Sequence, residues 1–175
     1  FGYERKKWSK KPKETVYDVG GAEYLKRHEK STKSGRQYLL VDGYNIIFSW
    51  KELNELSKEN LEAARTKLMD ILCNYQGFKG CELILVFDAY KVKGNPGEVS
   101  KYHNINVVYT KEAETADMYI EKVTHEIGKK HNVTVATSDG LEQMIVIGSG
   151  AYRMSAREFE QEIKKTEKEI GEMIE

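Results

Sequence analysis

A three-layer α/β/α fold, with a mostly parallel central sheet of about five strands, follows from three features of the sequence. Short apolar runs alternate along the chain with stretches of helical periodicity. The runs are apolar throughout rather than every second residue, as strands covered on both faces require. Three of them lead directly, or through a short polar extension, to an aspartate.

The elements are read in order. Tyr38 to Val41 is the first strand, stopped by Asp42-Gly43. Leu61, Ala64, Leu68, Ile71, Leu72 and Tyr75 recur on one helical face, with Asn60 as the N-cap. Leu83 to Phe87 is the second strand and ends at Asp88. Lys91 to Asn104 carries Gly94, Pro96 and Gly97 without periodicity and is expected to be a long, mobile basic loop. Ile105 to Tyr109 gives a third strand, and Ala116, Ile120, Val123 and Ile127 mark a helix that opens after Thr115 and closes near Gly128 to Lys130. Val133 to Ala136 is a fourth strand leading to Thr137-Ser138-Asp139-Gly140. A short helix over Leu141 to Ile147 and a short fifth strand over Ala151 to Met154 follow. Ser155 and Glu158 form a capping box that opens a terminal helix reaching at least Glu169. A further short helix is expected around Ala22 to His28.

The 175 residues, 39% of them hydrophobic, suit one well-buried core. Charge is balanced overall but uneven along the chain: residues 1 to 37 hold 11 Lys/Arg against 5 Asp/Glu. This front stretch reads as a basic extension or linker, or as the tail of an upstream domain, and a start at Phe1 rather than Met suggests a fragment of something longer or a processed product; residues 38 to 175 form the folded domain. Cys73 and Cys81 lack metal-ligand or redox spacing and read as reduced core thiols. The absence of a long apolar run or signal-peptide pattern argues against a membrane span and for a cytoplasmic protein.

Chemistry is concentrated in the aspartates. The chain has 22 Glu but only 6 Asp, yet Asp42, Asp88 and Asp139 all fall just beyond strands, where open α/β sheets form their ligand crevice. Glu114 and Asp117, expected in the first turn of the following helix, open onto the same edge. Each residue has an ordinary structural role available in a turn or at a helix N-terminus, but their common placement does not follow from those roles. Carboxylates brought this close need a hard counter-charge, which points to Mg²⁺ or Mn²⁺ on Asp42, Asp88, Asp117, Asp139 and Glu114. Such ions suit hydrolysis of a phosphodiester. His28, His103, His125 and His131 form no motif and read as surface or cap residues, while the lack of G-x-G-x-x-G or a P-loop excludes dinucleotide and P-loop chemistry.

Five segments in this order, V-D-G-Y-N-I from Val41, V-F-D ending at Asp88, E-T-A-D from Glu114, T-S-D ending at Asp139 and S-A-R-E from Ser155, resemble the YacP-like branch of the NYN domains over about residues 38 to 170. The resemblance implies a PIN-like nuclease fold and a Mg²⁺- or Mn²⁺-dependent endoribonuclease acting on mRNA at the ribosome. It assigns catalysis to Asp42, Asp88, Asp117 and Asp139, with Asn45 orienting a bound water or a phosphate, and adds Glu114 and Ser138 in supporting roles. RNA needs flanking cations, for which Lys91, Lys93, Lys101, Arg153 and Arg157 are the expected groups, while Tyr44, Tyr90 and Tyr102 are available for base stacking. Two other functions fit the same pattern: a catalytically silent RNA- or ribosome-binding module, and a metal-dependent nucleotide phosphatase.

Overall fold

The computed structural model describes residues 35–89, 99–140, 143–144, 148 and 150–174. In chain order these give β1 (Gln37–Asp42), α1 (Gly43–Ser49), α2 (Lys51–Glu59), α3 (Leu61–Lys79), β2 (Glu82–Phe87), β3 (Val99–Tyr102), β4 (Ile105–Tyr109), α4 (Ala116–Ile127), β5 (Asn132–Ala136), β6 (Tyr152–Met154) and α5 (Ala156–Ile174). The expected helix at Ala22 to His28 lies outside the described residues, as does most of the stretch Leu141 to Ile147.

The sheet has six strands in the order β3-β4-β2-β1-β5-β6, one more than expected, and every pairing is parallel except β3 with β4. Its extra strand falls within the segment read as a mobile loop. Val99 to Tyr102 carries no clear alternation, so periodicity could not reveal it. Tertiary bonds hold it instead: Cys73 Sγ donates to the Tyr102 carbonyl at 3.4 Å, the Tyr102 hydroxyl donates to Asp70 at 2.7 Å, and Asn104 Nδ2 donates to the Cys73 carbonyl at 2.9 Å. The reversal into β4 passes through His103 at φ 53.

Helices cover both faces. Tyr38, Leu40, Ile84, Val86, Val108, Val133 and Val135 meet α4 through Tyr119, Ile120 and Val123. On the other face Leu39, Val41, Leu83, Leu85 and Phe87 meet α1, α2, α3 and α5 through Ile46, Leu53, Leu68, Leu72 and Phe159. This two-sided burial is the reason β1 is apolar from Tyr38 to Val41. The Asn60 cap forms as read, with Oδ1 accepting from Ala63 N at 3.0 Å, and α3 runs on to a left-handed Gly80 (φ 75). The capping box is reciprocal: Glu158 N donates to Ser155 Oγ at 3.1 Å and Ser155 N donates to Glu158 Oε1 at 2.9 Å.

Helices α1 and α2 fill a stretch to which the sequence reading assigns no element. Helix α1 is short and rich in β-branched and aromatic residues, a composition that disfavours isolated helix. Tertiary burial of Tyr44, Ile46 and Ile47 overrides that preference. Trp50 closes α1 and donates its indole N–H to the Ala156 carbonyl at 2.8 Å, tying the helical layer to the start of α5. His131, expected at the surface or a helix cap, is instead buried beside Tyr38 and accepts from Arg36 N at 3.0 Å.

Both cysteines are free thiols, as expected, and Cys81 is buried. Full burial pushes the Cys81 thiol up to about 12, and burial also raises Cys73, which is less enclosed. Because thiolate is the reactive form, alkylation of the folded protein at neutral pH should leave Cys81 unmodified and label Cys73 slowly. Peptide mass spectrometry after iodoacetamide treatment checks this; rapid Cys81 labelling would contradict the packing around β2.

Candidate functional site

The strand order reverses at β1. From β1 the chain moves outward through β2 to β4, then returns to place β5 on the opposite side of β1. A reversal of this kind opens a crevice at the carboxyl ends of the strands. Asp42 ends β1 at this point, and Thr137 leaves β5 beside it, following the Val41–Ala136 register pair.

Side-chain alternation places the acids on one face. Tyr38 and Leu40 on β1, and Ile84 and Val86 on β2, face α4. Continued by one step, the same alternation directs Asp42 and Asp88 toward that side. Asp88 reaches the start of α4, where its Oδ1 accepts from Ala116 N at 2.6 Å. A carboxylate is favoured there by the exposed amide groups of the helix N-terminus. Asp117 follows in the first turn and accepts a hydrogen bond from the Thr115 hydroxyl.

Thr137 links the other two aspartates. Fully buried, its Oγ1 donates to Asp42 Oδ2 at 3.3 Å and accepts from Asp139 N at 3.1 Å. Asp42 is itself only 9% exposed, whereas Asp139 stands at the surface. Asn45 and Ser138 form a second tie across the edge. Asn45 Oδ1 accepts from Ser138 N at 2.7 Å, and Ser138 Oγ accepts from Ala156 N at 2.8 Å. These contacts bring the β1–α1 turn, the exit of β5 and the start of α5 together.

The remaining expected residues divide. Glu114 lies in the turn before α4, not in its first turn, and pairs with Lys122 at 2.7 Å. Arg153 on β6 and Arg157 at the start of α5 are exposed beside β5. Lys101 is exposed on the edge strand β3, three strand spacings from β1, or about 14 Å across the sheet. Lys91, Lys93 and Tyr90 lie outside the described residues. Tyr102 directs its hydroxyl to Asp70, and Tyr44 is buried with its ring against Phe48 and Phe87. Tyr44 therefore offers no open face to a base.

Thr137 and Arg65 were not among the residues read from sequence. Thr137 sits inside the T-S-D segment, where its neighbouring aspartate drew the attention. Arg65 interrupts the apolar face of α3, a signal that helical periodicity discards as background. In the fold, Arg65 Nη1 donates to the Tyr44 hydroxyl at 3.2 Å and also hydrogen-bonds Tyr109. Burial raises the Tyr44 phenol above its ordinary range; Arg65 opposes the rise, while Tyr109 and the Asp88 carboxylate add to it. Asp88 and Arg65 thus both bear on this one phenol.

Among the described residues, no group of three or more His, Cys, Asp or Glu side chains forms a ready-made metal cage. The donors at the edge are oxygen atoms of separate carboxylates, which fits a hard cation held by one or two protein ligands and completed by water or substrate phosphate.

A family model for the YacP-like NYN domain matches residues 39–175. The chain belongs to this family. YacP of Bacillus subtilis is 42% identical to it over 137 residues, spanning 78% of this chain and 80% of YacP. The crystal structure of Rae1 (YacP) from Bacillus subtilis matches with a TM-score of 0.67 at 40% identity, covering 78% of this chain and 79% of that one. A tryptophan-to-leucine mutant of the same protein gives a TM-score of 0.68 at 39% identity, covering 78% and 80%. The observed architecture is accordingly the PIN-like NYN fold, and family membership supports a nuclease-type, RNA-related function. No helix among the described residues is long and apolar enough to cross a membrane.

Proposed function

We propose that this chain is a divalent-metal-dependent endoribonuclease that hydrolyses phosphodiester bonds of mRNA in the context of the ribosome. The observation that carries the reading is the joint placement of Asp42 and Asp88. Asp42 ends β1 and Asp88 directly follows its parallel neighbour β2; alternation directs both to the same side, and Asp88 stands at the N-terminus of the helix that bears Asp117. Thr137 positions Asp42 and the backbone of Asp139 through one hydroxyl.

Bound Mg²⁺ or Mn²⁺ would supply charge neutralisation at the phosphate and lower the pKa of an attacking water. Asp42 and Asp88 are the residues best placed to hold it, with Asp117 and Asp139 flanking. Asn45 acts as a positioning residue that fixes the Ser138 backbone, and Ser138 in turn fixes the first turn of α5. Arg153 and Arg157 supply exposed positive charge for phosphates leaving the edge. The cytoplasm and the ribosome are the proposed setting, and residues 1 to 37, rich in Lys and Arg, are the proposed tail of an upstream domain that delivers the nuclease.

A second reading, a silent RNA-binding module of the same fold, is favoured by one observation: Asp88 already spends one oxygen on the α4 backbone. Chelation separates the two. Free and ribosome-bound RNA incubated with the protein in Mg²⁺ or Mn²⁺ should be cut at internal positions, and EDTA should stop the reaction. RNA that is bound yet remains intact in both forms would leave only the module.

A further inference from the structure

The acidic edge has a second lip, on the face of the sheet opposite α4. Tyr109 ends β4 in register with Phe87, the residue before Asp88, and Tyr44 follows Asp42 by two positions. Arg65 reaches both tyrosine hydroxyls from α3. It is half-buried, and among the described residues it makes no ion pair. A guanidinium has five donors in a rigid fork, and two neutral phenols occupy only part of it and cancel none of its charge. A phenol ordinarily ionises only at about pH 10, so at physiological pH both are neutral and act as rests for the guanidinium, not counter-ions. A partly desolvated cation in this state has unmet demand for an anion.

Tyr44, which Arg65 contacts, also stacks on Phe48. Phe48 is 45% exposed, and it is the one aromatic among the exposed large hydrophobic residues described. Its ring lies nearly parallel to Tyr44, with centroids 6.0 Å apart and planes 16° from one another. A lone exposed phenylalanine needs no explanation. This one is backed by a buried tyrosine that Arg65 holds in place, so the stack is rigid before any ligand arrives.

We propose that Arg65 and Phe48 form a nucleotide subsite for single-stranded RNA, the guanidinium taking a backbone phosphate and the exposed ring stacking on a base. The inference rests on the carboxyl edge being where RNA lies. It adds the neighbouring contact that positions the strand across that edge. Arg–phosphate recognition and base–aromatic stacking are the two ingredients of sequence-tolerant single-strand binding. Tyr44 and Tyr109 act as positioning residues for Arg65.

The test measures binding of a short fluorescent single-stranded RNA by anisotropy at several salt concentrations, using the full chain with Asp42→Asn to prevent cleavage. Adding Arg65→Gln should weaken binding about tenfold and reduce the slope of log K against log salt by roughly 0.7, the value for one lost phosphate contact. Arg65→Lys should retain the slope while losing part of the affinity. Phe48→Ala should weaken binding about tenfold at every salt concentration without changing the slope. Thermal melts accompany each variant. If Arg65→Gln fails to fold, the surface change Phe48→Ala decides.

Failure of the subsite and failure of the nuclease reading give different results. Cleavage by wild type with KM unchanged in Arg65→Gln and Phe48→Ala would overturn the subsite and leave the nuclease. Wild type that cuts no RNA, with both substitutions still weakening binding, would do the reverse. A parent protein that binds no single-stranded RNA overturns the subsite outright.

Discussion

Replacement of Asp42 by Asn is expected to lower RNA cleavage by on the order of 10³-fold, or about 4 kcal/mol of transition-state stabilisation, while leaving the fold intact. The position explains both halves of the expectation. Asp42 ends the central strand and is almost enclosed, so solvent cannot take over the role of its charge. Asparagine has nearly the same shape and retains an oxygen able to accept from the Thr137 hydroxyl. What is removed is the negative charge facing the edge. Turnover of purified variant and wild type, measured beside their melting temperatures, checks both. A variant that folds and keeps more than a tenth of the activity would take Asp42 out of the chemistry.

Gly43→Ala should destabilise the protein by about 3 kcal/mol, toward the upper end for forcing one carbon into a close-packed interior. A Cβ at this position would stand 2.5 Å from Phe87 Cδ1 and 3.0 Å from the Val86 carbonyl oxygen. The Val86 carbonyl belongs to the sheet and cannot swing aside. Phe87 is itself confined, between Tyr44 at 4.9 Å and Tyr109 at 5.7 Å. The close approach of α1 to β2 therefore depends on a residue with no side chain. Urea unfolding measures the effect, and a change below about 0.5 kcal/mol, the ordinary range for surface substitutions, would mean that α1 is held elsewhere. Activity should fall too, because the displaced turn carries Asp42 and Asn45.

These two neighbours illustrate what the sequence disclosed and what it withheld. Asp42 was legible because a charged residue after a run of buried apolar ones has few structural reasons to be there. The same logic revealed β2 and β5 with the aspartates beyond them, a buried apolar run revealed β4, and the two capping signals at Asn60 and Ser155 fixed where α3 and α5 start. Elements α1, α2 and β3 were not legible. Helix α1 folds against its own propensity, α2 buries only Leu53, and β3 is an edge strand held by bonds to α3. In each, the deciding partner is distant in sequence.

The site shows the same division. Strand ends gave the carboxylates, but nothing local indicated that Thr137 would join Asp42 to the backbone of Asp139, or that Glu114 would be engaged by Lys122. Lysine content alone suggested Lys101 as an RNA contact. Its place on the outermost strand, far across the sheet, depends on the antiparallel return of β3 that no periodicity announced.

The Asp42–Thr137 hydrogen bond joins residues 95 positions apart. During synthesis β1 emerges early but must wait for β5 before it gains its second neighbour, a non-local closure of the sort that slows folding. A half-made chain therefore carries Asp42 with no Thr137 to orient it. The acidic edge is thus oriented only once the stretch from residue 42 to residue 137 has folded together.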